Sequence, residues 1–249
     1  MALATINFSS EMLKKQTEIC MCLPNPGSCN ISLSKRKVLW LLHGLSDDNT
    51  CWHRFSNVER YANESGIIVV MPNGDRSMYE DNVLGQNYMS FISEELPAYL
   101  HNVFSLSDKR DDNFIAGLSM GGMGAAKIAL THYDRYAGFG SFSGLLDINF
   151  VKESFSKQIQ TEFPFMKRIF DSPDFAESDP KTLLSKKLHS DMKMFVACGT
   201  DDYWMRASTS FKEKADRLGL NVRCSFDKGG HEWRLWDKYV KEFIDYINE

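Results

Sequence analysis

The sequence predicts an α/β fold: a mostly parallel central sheet with helices on both faces. Three observations carry this expectation. Short apolar runs alternate with amphipathic segments along most of the chain. Residues 38–42 and 67–71 are apolar at every position, the pattern of strands covered on both faces. Nearly every run gives way to glycine, proline or a polar cluster before a helical pattern begins, which requires crossover connections and hence parallel strands.

Taken in order, residues 17–23 read as an early strand ended by Pro24 and Pro26, and 25–34 as a loop rich in Pro, Gly, Ser and Asn. The strand 38–42 stops at His43-Gly44. Residues 55–65 read as a helix closed by Gly66, and 67–71 as a strand stopped by Pro72-Asn73-Gly74. Across 87–104, Phe91, Leu96, Tyr99, Leu100 and Val103 recur at helical spacing, with a kink expected at Pro97. A strand at 113–118, Ser119 and a helix over 122–132 follow, then a strand at 137–142 closed by Ser143-Gly144. Residues 145–190 are polar, mixed in period and contain Pro164, Pro173 and Pro180, so they read as a small cap-like insertion of short helices and loops. Regularity returns with a strand at 194–198, a helix at 208–218 capped by Gly219, a strand at 222–226 and a terminal helix at 235–247. No repeat or low-complexity linker divides the chain, and residues 1–249 are expected to form a single domain.

Composition narrows the function classes. Of 249 residues, 43% are hydrophobic and 25% charged, which suits a globular chain that buries a large core without staples. The net charge of −4 and dispersed Lys and Arg argue against a nucleic-acid or membrane-surface partner. The apolar runs are far shorter than a membrane span. Residues 1–10 lack a basic start followed by an apolar run, so a cytoplasmic location is expected. Cys20, Cys22, Cys29, Cys51, Cys198 and Cys224 are expected to be reduced structural thiols. Only Cys20 and Cys22 are closely spaced, so no zinc set is completed and no metal is expected.

Within this frame, Gly117-Leu118-Ser119-Met120-Gly121 joins a buried strand to a helix. This Gly-x-Ser-x-Gly pattern places a serine on a tight strand-to-helix turn, with flanking glycines that let the backbone pass closely. Alone it is weak, with about 0.1 chance matches expected in a chain of this length. The neighbouring strand ends strengthen it, because ligands of such sheets gather beyond the carboxyl ends of the strands. Those ends carry His43-Gly44-Leu45, Asp201-Asp202 and His231. A serine hydroxyl needs a base, histidine suits that role near neutral pH, and a carboxylate must orient the imidazole. The expected set is Ser119 as nucleophile, His231 as base and Asp202 as orienting acid, in the chain order of the α/β-hydrolase fold. Asp201, its neighbour, is expected to point elsewhere. Backbone N–H groups of Met120 and Leu45 are the expected oxyanion donors. His43 is expected to serve as a hydrogen-bonding wall, and His53, His101, His132 and His189 to lie on surfaces.

Together, His43-Gly44-Leu45, Gly117-Leu118-Ser119-Met120-Gly121-Gly122, Gly199-Thr200-Asp201-Asp202 and Gly229-Gly230-His231-Glu232-Trp233 resemble the esterase D family of α/β-hydrolases, from about residue 5 to the end. The chain looks most like the compact bacterial tributyrin esterases and acetylesterases. The resemblance implies hydrolysis of short-chain acyl esters, and its Gly-x-x-Asp spacing supports Asp202 as the acid. Asp47-Asp48 departs from the small or glycine residue that relatives often carry there, which affects the shape and polarity of the site mouth.

The expected function is a serine carboxylesterase acting through an acyl-enzyme on a small-molecule ester, with no cofactor. Trp52, Tyr79, Met123, Trp204 and Trp233 are candidate pocket residues, alongside His43. A thioesterase of the S-formylglutathione hydrolase type is an alternative, although the chain is short for that branch. An acetyl or feruloyl esterase acting on plant-polysaccharide fragments is another. A non-catalytic binding protein of the same fold is disfavoured by the presence of all three chemical groups. Oligomeric state is left open.

Overall fold

In a computed structural model of the protein, which describes residues 1–28, 32–81, 86–161, 177–185 and 189–249, eight strands form one sheet. They are β1 (Ala2–Ser10), β2 (Lys15–Leu23), β3 (Val38–Leu42), β4 (Ile68–Pro72), β5 (Asn113–Leu118), β6 (Gly138–Phe142), β7 (Lys193–Gly199) and β8 (Val222–Asp227). Their spatial order is β1-β2-β4-β3-β5-β6-β7-β8. From β4 across to β8 every pairing is parallel, while β2 pairs antiparallel with β4 and β1 antiparallel with β2.

Strand β1 has no counterpart in the sequence reading. It lies at the sheet edge and alternates exposed with partly buried residues, so it lacks the apolar run that marks the central strands. Its place is set by pairing with β2, residue for residue from Ala2–Leu23 to Ser10–Lys15.

The helices are α1 (Cys51–Phe55), α2 (Val58–Ser65), α3 (Tyr88–Ser90), α4 (Leu96–Phe104), α5 (Met120–Thr131), α6 (Ile148–Thr161), α7 (Pro180–Leu183), α8 (Met205–Leu218) and α9 (Trp233–Asn248). The single helix expected at 55–65 is two. Ser56 is extended (φ −134°, ψ 175°), and the Asp237 carboxylate of α9 accepts from the Asn57 N–H at 2.7 Å, starting α2 afresh. The expected kink at Pro97 is a widened π turn, Phe91–Glu95, between α3 and α4. Proline has no N–H for the carbonyl four residues earlier. That carbonyl, on Ser93, accepts instead from Arg135 Nη1 at 2.7 Å.

The two faces of the sheet build two cores. Val38, Trp40 and Leu42 point to one, with α4, α5 and α8; Leu39 and Leu41 point to the other, with α2 and α9. This explains why the run 38–42 is apolar throughout: alternate side chains enter opposite layers, and each buried aliphatic contributes about 1.5–3 kcal/mol. Of the 145–190 insertion, α6 and α7 are described; Pro164 and Pro173 lie outside the described residues, as does Cys29. The five described cysteines are free thiols.

Candidate active site

Ser119 follows β5 directly and caps α5 with φ 53° and ψ −118°, a conformation that costs a non-glycine residue about 1–3 kcal/mol. The surroundings hold it there. Its N–H donates to the Phe142 carbonyl at 2.8 Å, and its own carbonyl accepts from the Met123 N–H at 3.1 Å. The flanking glycines are required by clearance. A Cβ on Gly117 would lie 2.5 Å from the Gly121 backbone, and one on Gly121 would lie 2.6 Å from the His43 carbonyl oxygen. These contacts lock the turn after β5 against the turn after β3.

His231 lies in the loop between β8 and α9. Its Nδ1–H donates to Asp202 Oδ2 at 2.8 Å, leaving Nε2 as the acceptor. Asp202 Oδ1 accepts from the Trp204 N–H at 2.9 Å. Burial pushes the Asp202 carboxyl upward, but the bond and charge of His231, the Trp204 N–H and the Ser143 hydroxyl outweigh it and hold it below the usual carboxylate range. Asp201 faces the other way, where its Oδ1 accepts from Lys228 Nζ at 2.7 Å on the surface.

Ser119, His231, Leu45 and Met120 all line one cavity of about 540 Å³. Its other walls include Met78, Leu145, Val151, Phe155, Trp204 and Trp233. Among the described residues, the N–H groups of Leu45 and Met120 donate to no acceptor. Met120 opens α5, where the first-turn N–H groups have no partner within the helix. The Ser119 hydroxyl makes no hydrogen bond to His231 among the described residues, a contact that commonly tightens when substrate binds.

Of the expected pocket residues, Trp204 and Trp233 line the cavity, whereas His43, Trp52, Tyr79 and Met123 are buried and absent from its lining. Three of these four build the wall behind it. Trp52 Nε1 donates to the Leu42 carbonyl at 3.0 Å, and the Tyr79 hydroxyl to the His43 carbonyl at 3.0 Å. His43 Nε2 accepts from the Gly74 N–H at 2.8 Å, so Nδ1 carries the proton and donates to the Gly44 carbonyl at 2.7 Å. Burial pulls its pKa down, keeping the ring neutral in this bonding role. His189, expected on a surface, is buried. Its Nδ1 accepts from the Ser185 N–H at 3.1 Å, and its Nε2–H donates to the Leu130 carbonyl at 3.0 Å.

The sequence reading passed over Tyr203, Trp236 and Ser143. Tyr203 lies against the His231 ring with centroids 4.6 Å apart, and Trp236 meets it edge-on at 4.8 Å. Trp236 Nε1 donates to the Ser143 hydroxyl at 3.1 Å, which connects onward to Asp202. Two signals were available: Tyr203 sits between Asp202 and Trp204, and Ser143 closes a strand of the parallel sheet. Trp236 reads only as a core position of an amphipathic helix.

The model of the Esterase family, described as "Putative esterase", matches residues 10–244. An acetyl esterase of Caldicellulosiruptor saccharolyticus is 28% identical, with 100% of this chain and 99% of that protein covered. Two solved Staphylococcus aureus structures are each 32% identical and cover 100% of this chain. One is FphF, a fluorophosphonate-binding serine hydrolase with substrate bound, covered over 98% of its chain with a TM-score of 0.84. The other is FrmB, described as S-formylglutathione hydrolase, covered over 99% with a TM-score of 0.85.

Proposed function

The chain belongs to the Esterase family, of the esterase D type, and on that premise we propose that it hydrolyses short-chain acyl esters, with Ser119 as nucleophile, His231 as base and Asp202 as orienting acid. It is a serine carboxylesterase by family. The observation that carries the residue assignment is the 2.8 Å bond from His231 to Asp202 beside a cavity shared by His231, the strained Ser119 and two unengaged N–H groups.

In this reading Ser119 Oγ attacks the ester carbonyl carbon while His231 Nε2 takes its proton. The developing oxyanion is met by the N–H groups of Leu45 and Met120. The carbon–alkoxide bond then breaks, and His231 returns the proton to the leaving alcohol. Water, deprotonated by His231, attacks the acyl-Ser119 carbonyl; the acid leaves and Ser119 regains its proton. Asp202 fixes the imidazole tautomer and stabilises the imidazolium. In this reading α6 and the residues before it act as a small cap on a single domain, and Leu145, Val151 and Phe155, which line the cavity, set its preference for acetyl to butyryl groups.

Initial rates on 4-nitrophenyl acetate, butyrate and octanoate test this, with Ser119→Ala as the control. Acetate and butyrate should turn over fastest, and Ser119→Ala should lose turnover together with labelling by a fluorophosphonate. Preference for octanoate would refute the short-chain assignment, and retained labelling in Ser119→Ala would refute the nucleophile. A second reading, thioester hydrolysis, is favoured by the identity to the S. aureus structure described as S-formylglutathione hydrolase. Chain length does not separate the two, because this chain covers 99% of that structure's chain. Including S-formylglutathione in the panel decides between them.

A further inference from the structure

Asp47 lies two residues beyond Leu45 and is the carboxylate on the cavity lining; among the described residues no Lys or Arg lines that cavity. Its side chain folds back over the Gly44 turn, with Oδ2 3.0 Å from where a Cβ on Gly44 would sit. Its N–H donates to the Gly44 carbonyl at 3.2 Å, which fixes the turn that presents Leu45. Asp47 is half-buried, and among the described residues it has no ion-pair partner. Burial, together with the Asp48 charge, pushes its carboxyl up, opposed in part by the His43 ring, a hydrogen bond from the Gly44 backbone and the His231 ring. Asp48 differs: its carboxylate is taken by the Thr50 N–H at 2.8 Å and hydroxyl at 2.6 Å, and Arg54 acts on it.

A carboxylate with no ion-pair partner among apolar walls repels a second anion and attracts a cation more strongly than it would in bulk water, because a half-buried site is screened less than open solvent. Tyr203, Trp204, Trp233 and Trp236 on the same lining add aromatic quadrupoles that also favour cations. We propose that Asp47 sets the charge selectivity of the cavity, favouring esters that bear an ammonium group over those that bear a carboxylate or sulfonate. This deepens the esterase reading and rests on it. A consequence is that S-formylglutathione, whose two carboxylates outweigh its single ammonium, is a poor substrate.

The test uses three butyrate esters that differ chiefly in charge: butyrylcholine, its neutral isostere 3,3-dimethylbutyl butyrate, and the sulfonate 2-butyryloxyethanesulfonate. Hydrolysis is followed by pH-stat at pH 8. The wild type should show higher kcat/KM for the cation than for the anion, and Asp47→Asn should shrink that ratio about a hundredfold, because one unit charge about 6 Å away at an effective dielectric of about 40 favours the cation and disfavours the anion by about tenfold each. Asp47→Ser should do the same, and added salt should shrink the wild-type ratio. Turnover of the neutral ester with an unchanged ratio in both variants overturns the role of Asp47 alone. No turnover of the neutral ester by the wild type overturns the esterase reading itself.

Discussion

Asp202 divides its carboxylate between the His231 ring and the Trp204 N–H, whereas its neighbour Asp201 meets Lys228 in solvent. Successive residues leaving a strand project in different directions, so only one of the pair reaches the imidazole. Asp202→Asn should therefore lower kcat by roughly 10⁴-fold, because the amide no longer fixes the tautomer that frees Nε2. Asp201→Asn should stay within a few-fold of the wild type, since exposed ion pairs contribute little. Steady-state kinetics on a butyrate ester compares them, and equal losses would remove Asp202 from its proposed role.

At the scale of elements, two carboxylates tie α6, α7 and α8 together. Asp179 accepts from the Ile148 N–H at 3.0 Å and from the Thr182 N–H and hydroxyl, tying the start of α6 to α7. Asp147 accepts from Lys181 Nζ at 2.6 Å on α7, the Ser210 hydroxyl at 2.6 Å on α8 and the Phe150 N–H. Burial raises the Asp147 pKa, but these donors outweigh it and hold it below the usual carboxylate range. With the folded value depressed, the unfolded chain binds the proton more readily. The stabilisation is thus present above the ordinary carboxylate value near 4 and is lost as pH falls through the folded one. Asp147→Asn should cost about 1–3 kcal/mol in urea unfolding at pH 7. That cost should shrink toward pH 3, and one constant with pH would show that the Asp147 charge is not what holds these three helices together.

Across the whole molecule, a buried cation ties distant parts of the chain to the helix that carries the nucleophile. Lys127 on α5 is fully buried and donates to Glu80 Oε1 at 2.5 Å and to the Met78 carbonyl at 3.1 Å. Glu80 Oε1 also accepts from the Ser178 hydroxyl at 2.7 Å. One ion pair so joins α5, the loop after β4 whose Met78 lines the cavity, and the end of the insertion. Burial lowers the Lys127 pKa and the Glu80 charge opposes that lowering. Glu80→Gln should then cost about 3–5 kcal/mol in denaturant unfolding by leaving a buried charge less compensated. A loss below about 1 kcal/mol would show the pair to be dispensable for stability.

The sequence by itself determined the parallel sheet, the turn bearing Ser119 and the order of serine, aspartate and histidine. Those features are legible because their causes are local: a strand buried on both faces must be apolar at every position, and a serine turn packed against a neighbouring backbone must be flanked by residues without a Cβ. Only the tertiary structure decided the edge strand β1, the break before α2 and the makeup of the cavity wall. Strand β1 depends on a partner rather than on its own apolar pattern, and α2 begins where a carboxylate from α9, far along the chain, meets Asn57. The lining draws single side chains from separate loops, so packing alone decided that Trp204, Trp233 and Asp47 face it while Trp52, Tyr79 and His43 stand behind. An aromatic ring near a strand end looks the same in sequence whether it meets substrate or bonds a backbone carbonyl; the difference lies in which neighbour its polar edge can reach.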